Sequence, residues 1–475
     1  MNYCKIKQKQ TEPLVGNKNK ILEDQESILS QLEKEILHSK ELGLERKFVS
    51  YNHLVKSLSL PENFEPENFE PENFRPKELS LDTAKQIFDS HNFNNKPIIS
   101  FIANDYFALS GNKDIIATAQ KAIGESGFGA GSSIFLGGMH QYYQQFIKKL
   151  TKFKKCQAGL VFPSGYQAVI GVISALCNEK DLIIADKFIH QSHIAGAKLS
   201  GAKFYRFKHN DISHCQSLLA NYRKEFRRCF IISETIFSMD GDCGNIAELW
   251  DLAQKYSANL IADDAHGLGL VDYSGFFSQS NGNSQYLQIG TMSKALASIG
   301  GYVVGSELMI EYLQNFAKSA IYTTALPASA LAVATIALTK IAEGGELISN
   351  AINNKRLFCQ IFSDYANKIL EQDKIAPNQA SSSNINKLRL AKIVTEILIA
   401  KEEESLIVPI IIGENRQVLE IARKVAENGF LIGAIRPPTV PPSTARLRIT
   451  FNSQIPKKSI DTLAKLLVEL IINFD

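Results

Sequence analysis

Lys294 stands in the run Gly290-Thr291-Met292-Ser293-Lys294-Ala295-Leu296, directly after the apolar segment 286–289. A lysine at the exit of a buried strand is placed to lose its proton, because removal from water disfavours the ammonium form. The neutral amine is a nucleophile that can form a Schiff base with an aldehyde. The neighbouring hydroxyls of Thr291 and Ser293 can hold a phosphate. Taken alone, the same lysine also reads as a surface residue at a strand end.

Other segments carry matching chemistry. In Phe162-Pro163-Ser164-Gly165-Tyr166-Gln167 an apolar run ends and a Ser-Gly pair opens a helix. Backbone N–H groups at a helix start attract anions, and Gly165 lets a phosphate come close, with Tyr166 beside it. A plain Ser164 N-cap is the simpler alternative. His190, in Phe188-Ile189-His190-Gln191-Ser192-His193, could stack on a planar ring or serve as a capping residue. His190 and His193 have no third ligand at metal spacing, so no metal is expected. The run Phe237-Ser238-Met239-Asp240-Gly241-Asp242 reads as a turn supporting a site, since the calcium-loop spacing is absent.

Asp263-Asp264-Ala265-His266-Gly267 follows the apolar segment 260–262. A buried carboxylate can keep a pyridine nitrogen protonated, which makes that ring an electron sink. A histidine three residues on can hydrogen-bond the ring hydroxyl or hold a substrate. Read singly, the pair could also be a metal pair or a helix cap. With Lys294 downstream, the combination favours pyridoxal phosphate. Far away, Arg436 sits in Ile435-Arg436-Pro437-Pro438-Thr439-Val440-Pro441-Pro442, where proline pairs stiffen the chain. A guanidinium on such a segment suits a carboxylate, or is a surface arginine in a rigid loop.

The elements that must position these residues alternate along the chain. Strands are expected at 159–162, 181–185, 229–233, 260–262, 286–289 and 302–305, with helices at 165–177 and 194–199. This is the rhythm of an α/β domain with a largely parallel central sheet, whose ligands bind at the carboxyl ends of the strands. A long helix near 331–348 leads into a smaller C-terminal region with strands at 406–412 and 446–451 around a helix at 416–428. The expected division is an N-terminal segment 1–97, a large domain 98–345 and a small α+β domain 346–475. The N-terminal segment holds an amphipathic helix near 23–42. It also holds the tandem Pro61-Glu62-Asn63-Phe64-Glu65 repeat over 61–76, whose prolines forbid a long helix. The stretch 376–386, rich in Ser, Asn and Gln, reads as a flexible insertion within 376–404.

Composition narrows the class. A net charge of +3 with no basic stripe argues against nucleic acid as a partner. No apolar run reaches the roughly 18 residues of a membrane span, and the first residues show no hydrophobic signal region. Seven cysteines without metal-like spacing fit a reduced, cytoplasmic enzyme.

On these motifs the chain resembles the α-oxoamine synthases, which are fold-type I pyridoxal-phosphate enzymes. The resemblance covers roughly 98–370 and 405–470. It is carried by His209-Asn210-Asp211, the 237–242 turn, Asp263-Asp264-Ala265-His266-Gly267, the Lys294 run, the Arg436 loop and Ala445-Arg446-Leu447-Arg448. It implies that Lys294 anchors the cofactor and acts as general base, and that Asp263 pairs with the pyridine nitrogen. It implies that His266 and Ser238 contact the ring and its hydroxyl, that His190 stacks on its face, and that Gly165, Tyr166 and Thr291 bind the phosphate. Asn104 and Arg436 would hold an amino-acid carboxylate, Thr439 would line the substrate site, and Arg46 would serve the acyl chain.

The spelling of the Arg436 loop matches the branch that condenses L-alanine with a pimeloyl thioester, on CoA or acyl carrier protein, in biotin biosynthesis. Related reactions are glycine with acetyl-CoA, serine with palmitoyl-CoA, or synthesis of an aminoketone signal. A non-catalytic binding protein is the alternative of another class, against which the intact lysine, aspartate and histidine argue. The resemblance also implies a homodimer. The chain departs from the pattern at Tyr166, where phenylalanine is common, and at Ala297, where glycine usually follows the lysine run. It departs also in the glycine-rich segment 129–140, in the 61–76 repeat and in the 376–404 stretch.

Overall fold

The computed structural model describes residues 28–44, 98–277, 285–372 and 382–473. Arg46 and the 61–76 repeat lie outside the described residues. The helix Ile28–Glu41 falls within the expected 23–42 and belongs to a separate unit spanning residues 1–49.

The rest forms one unit built on a seven-stranded sheet. Its strands are β2 (Ala158–Phe162), β3 (Asp181–Asp186), β4 (Lys203–Phe207), β5 (Arg228–Glu234), β6 (Asn259–Asp263), β7 (Tyr286–Thr291) and β8 (Gly301–Gly305), preceded by the short β1 (Ile99–Ser100). Their spatial order is β2-β8-β7-β6-β5-β3-β4. Strands β3 to β7 pair in parallel, and β8 runs antiparallel between β2 and β7. The central strands read as continuous apolar runs because helices cover both faces of the sheet. Each expected strand is present to within about two residues at each end, because its ends are marked by the first polar or glycine residue.

The C-terminal part has an antiparallel sheet of β9 (Ile407–Gly413), β11 (Gly433–Ile435) and β12 (Ala445–Thr450), ordered β11-β12-β9. Between β9 and β11, β10 (Phe430–Leu431) pairs in parallel with β1, so Phe101 packs into this second core with Phe430 and Phe451.

Two expectations need correction. The long helix near 331–348 is two helices, Ala328–Glu343 and Gly345–Gln372. The break falls at Gly344, where a Cβ would meet the carbonyl oxygen of Lys340 at 2.4 Å. We propose this break as the end of the large domain. The stretch read as a flexible insertion contains the helix Ser382–Glu402. Leu390, Ile393, Val394 and Ile397 recur at helical spacing and are buried against the second core. The polar residues at its start masked that periodicity.

Candidate active site

At the carboxyl ends of β5, β6 and β7 lies a cavity of about 260 Å³. Gly165, Tyr166, His190, Ser238, Asp263, His266, Thr291 and Lys294 all line it. Sequence positions 165 to 294 meet there because parallel strands bring their carboxyl ends to one edge.

Lys294 follows β7 in a tight turn, with the Ala297 amide bonded to the Lys294 carbonyl (3.0 Å) and that of Ser298 to the Met292 carbonyl (2.9 Å). Ala297 adopts φ +49°, the left-handed region that glycine occupies without strain. This is the physical reason glycine suits that position. The Lys294 Nζ lies 2.7 Å from His266 Nε2. Burial lowers the Lys294 pKa from 10.5 to about 8, while the Asp263 and Glu234 carboxylates limit the drop.

Asp263 closes β6 and is buried. Its Oδ1 accepts from the Ala265 amide (3.0 Å), and its Oδ2 pairs with His193 Nε2 (2.8 Å). Burial would raise its pKa, but the His193 hydrogen bond and the nearby positive groups outweigh that and hold it below the ordinary carboxylate range. His193 was passed over in the sequence because it reads as a second histidine without a ligand partner. It is fully buried, and its Nδ1 has no partner among the described residues.

Glu234, at the end of β5, is a second residue the sequence did not disclose. Its Oε1 accepts from the His190 amide at 2.6 Å and so fixes where that ring starts. Burial and the Asp263 charge push its carboxyl well above the usual range. A charged residue closing an apolar strand was the available signal. His190 lines the cavity, with its Nδ1 2.7 Å from Ser192 Oγ. Burial within the site holds its pKa below the ordinary value.

The Ser238 turn is held from two sides. His209 bridges Asp186 (2.9 Å) and Asp242 (2.8 Å). Partial burial opposes its protonation, but the two carboxylates win and raise its pKa to about 10. Asn210 also donates to Asp242 (2.8 Å), and Arg446 pairs with Asp240. Arg448 donates to the Ser238 carbonyl (2.6 Å) and to Asn104 Oδ1 (3.0 Å). Asn104 therefore reaches the site through Arg448. Arg436 and Thr439 lie in the loop between β11 and β12 and are not among the residues lining the cavity.

The helix Gly165–Leu176 points its N-terminus at the cavity. Ser164 Oγ accepts from the Gln167 amide (3.2 Å), and the Ser164 carbonyl takes the Ala168 amide. First-turn amides have no intrahelical partner, which leaves those of Gly165 and Tyr166 suited to an anion. A Cβ on residue 165 would stand 3.0 Å from Thr291 Cβ, so glycine keeps this cradle open. The donor set fits a phosphorylated pyridine aldehyde: an anion cradle, a buried carboxylate for a ring N–H, and a weakly basic amine for the aldehyde.

Fold and site together define a fold-type I transferase built around one lysine. The sequence matches the family described as aminotransferase class I and II over residues 96–467. It is 36% identical over 375 residues to an 8-amino-7-oxononanoate synthase of Methylobacterium nodulans, covering 79% of this chain and 87% of that one. A Methylorubrum populi protein of the same name is 37% identical over 373 residues, covering 78% and 85%. Among solved structures, an 8-amino-7-oxononanoate synthase from Francisella tularensis superposes with a TM-score of 0.56 at 26% identity, covering 78% and 97%. Serine palmitoyltransferase of Sphingomonas wittichii superposes with 0.68 at 23% identity, covering 79% and 88%, a likeness of fold alone. The chain belongs to the class I and II aminotransferase family, and its curated relatives within it are 8-amino-7-oxononanoate synthases.

Proposed function

We propose that this protein is an acyltransferase that condenses L-alanine with a pimeloyl thioester, on CoA or acyl carrier protein. The products are 8-amino-7-oxononanoate, carbon dioxide and the free thiol, a step of biotin biosynthesis. The observation that carries the reading is the 36% identity to a synthase of that name over 79% of the chain. The cavity that joins Lys294, Asp263, His266 and the helix start at Gly165 supports it.

Pyridoxal phosphate is the cofactor these residues suit. Lys294 would bind its aldehyde carbon, Asp263 its ring nitrogen, His190 its face, and Ser238 and His266 its hydroxyl. The amides of Gly165 and Tyr166, with Thr291, would take the phosphate. When bound, the group supplies an electron sink that stabilises negative charge at the amino acid's Cα. Lys294 Nζ, freed as a neutral amine, takes the Cα proton of L-alanine. Its lowered pKa leaves the amine neutral often enough near pH 7–8 to act as that base. Asp263, held ionised by His193, keeps the opposing positive charge in place. The guanidinium of Arg436, with Asn104, would hold the alanine carboxylate, Thr439 would flank it, and Arg46 would serve the acyl chain.

The reading includes a cytoplasmic homodimer. The six described cysteines are free thiols, as in a reducing compartment. No described helix is long and apolar enough to cross a membrane. Phe128, Leu136 and Tyr322 stand 79%, 83% and 81% exposed, apolar surface that a second copy could cover. Light scattering on the purified protein and on Leu136→Glu tests the dimer: the wild type should have twice the chain mass. For the reaction, L-alanine, and not glycine or serine, should shift the cofactor absorbance. Pimeloyl-CoA should then yield a product with the mass of 8-amino-7-oxononanoate. A shift with glycine or serine alone would overturn the substrate assignment.

A further inference from the structure

His209 is not among the residues lining the cavity. It stands between the exit of β3 and the turn that presents Ser238. Its Nδ1 lies 2.9 Å from Asp186 Oδ1, and its Nε2 lies 2.8 Å from Asp242 Oδ2. Phe188 leans over the ring with centroids 4.5 Å apart, and Phe237 meets it edge-on at the same distance.

Donor counting fixes the state of this ring. Asp186 Oδ1 also accepts from the Phe188 amide (2.8 Å), and its Oδ2 from the Asn210 amide (2.9 Å). Asp242 Oδ2 also accepts from Asn210 Nδ2 (2.8 Å). Such donors hold both carboxylates ionised, and an ionised carboxylate only accepts. Each ring nitrogen of His209 must therefore bring its own hydrogen. A neutral imidazole has one, and would set a lone pair against one carboxylate; the imidazolium satisfies both. Asp186, fully buried at the end of β3, and Asp242, in the turn, are the charged groups acting on the ring, and together they bring its pKa to about 10.

The bridge bears on Ser238 through the turn. The Asp242 carbonyl takes the Phe237 amide (3.0 Å), and the Phe237 carbonyl takes the Gly241 amide (2.9 Å). Ser238 lies within this loop of bonds and lines the cavity. We propose that His209 is a positioning residue: as a standing imidazolium it ties the Ser238 turn to the end of β3, and so sets where the Ser238 hydroxyl meets the cavity. Its catalytic meaning rests on the proposed reading, in which Ser238 meets the cofactor's ring hydroxyl; the charge and the tie do not. A histidine whose pKa rises on folding stabilises fully below about pH 6.5, its ordinary value, and that contribution is lost as pH climbs through about 10.

Nitrogen NMR of the full-length protein, with ¹⁵N in the histidine rings, tests the charge, and His209→Gln assigns the signals. At about pH 8, without cofactor, both His209 nitrogens should be protonated, where an unperturbed histidine is neutral. One bare nitrogen at that pH overturns the proposal whether or not any variant folds. Amide hydrogen exchange tests the tie. In His209→Gln, exchange across 237–241 should quicken roughly tenfold or more, with β6 and β7 unchanged. Exchange that is unaltered, or quickens alike throughout, overturns it. Should that variant fail to fold, Asp242→Asn removes one carboxylate and keeps its shape. There the His209 midpoint should fall by roughly one pH unit or more, and the same amides should loosen; an unmoved midpoint overturns the bridge. Pyridoxal phosphate affinity tests the route. His209→Gln and Ser238→Ala should each weaken binding roughly two- to tenfold, and the double variant should lose no more than the worse single one. Losses that multiply overturn action through Ser238. A protein that binds no pyridoxal phosphate refutes the reading of the cavity, and the first two measurements still decide the charge and the tie.

Discussion

The acidity of Lys294 is the sharpest test of the site. Burial brings its pKa from 10.5 to about 8. At pH 7 that raises the neutral fraction from about 0.03% to about 9%, a gain of roughly 300-fold. Trace labelling of the cofactor-free protein with acetic anhydride reads the neutral fraction of each lysine, with exposed lysines as internal standards. Labelling at Lys294 should be half-maximal near pH 8, and that of the standards above pH 10. The sign of the next step follows from the neighbours. The Asp263 carboxylate, held ionised, favours the ammonium form, so Asp263→Asn should move the Lys294 midpoint below 8. Mere loosening of the site would let water in and move it up instead. A wild-type midpoint above pH 10, or an upward shift in Asp263→Asn, would refute the assignment of Lys294 as a desolvated amine in the carboxylates' field.

Three further substitutions probe the frame around the site. His193→Leu removes a charge-assisted partner of Asp263, so kcat should fall roughly ten- to hundredfold, as loss of about 1.5–3 kcal/mol implies; an unchanged pH–rate profile and rate would count against the coupling. Lys154 pairs with Asp264 at 2.5 Å, and both side chains are buried. Lys154→Met leaves that carboxylate buried without its cation and should cost about 3–5 kcal/mol in chemical denaturation. Ala297→Gly relieves a left-handed alanine, and the added freedom of the unfolded chain offsets part of the gain. The net should be roughly 0.5–1 kcal/mol of added stability, seen as a higher Tm; a lower Tm would mean that the turn carries no strain.

The sequence by itself determined six of the seven strands of the large sheet, since each of those is a short apolar run closed by a polar or glycine residue; β4, whose lysine and arginine break the apolar pattern, was not legible. It also determined the chemistry at the strand exits: Asp263, His266 and Lys294 are legible because they follow β6 and β7 directly. Residues whose role depends on a partner far along the chain were not legible. His193 matters because it meets Asp263, 70 residues on. Arg448 joins Asn104, 344 residues away, to the Ser238 turn. His209 matters because its ring meets Asp186, 23 residues back, and Asp242, 33 residues on. The helix Ser382–Glu402 was missed because its polar start hid a buried stripe that only the second core reveals. Spacing along a chain reports local structure, whereas hydrogen-bond polarity and shifted pKa values depend on which distant groups the fold brings within about 3 Å. That is why the tertiary structure alone decided how the lysine is neutralised, how the aspartate is kept ionised and how His209 is kept charged.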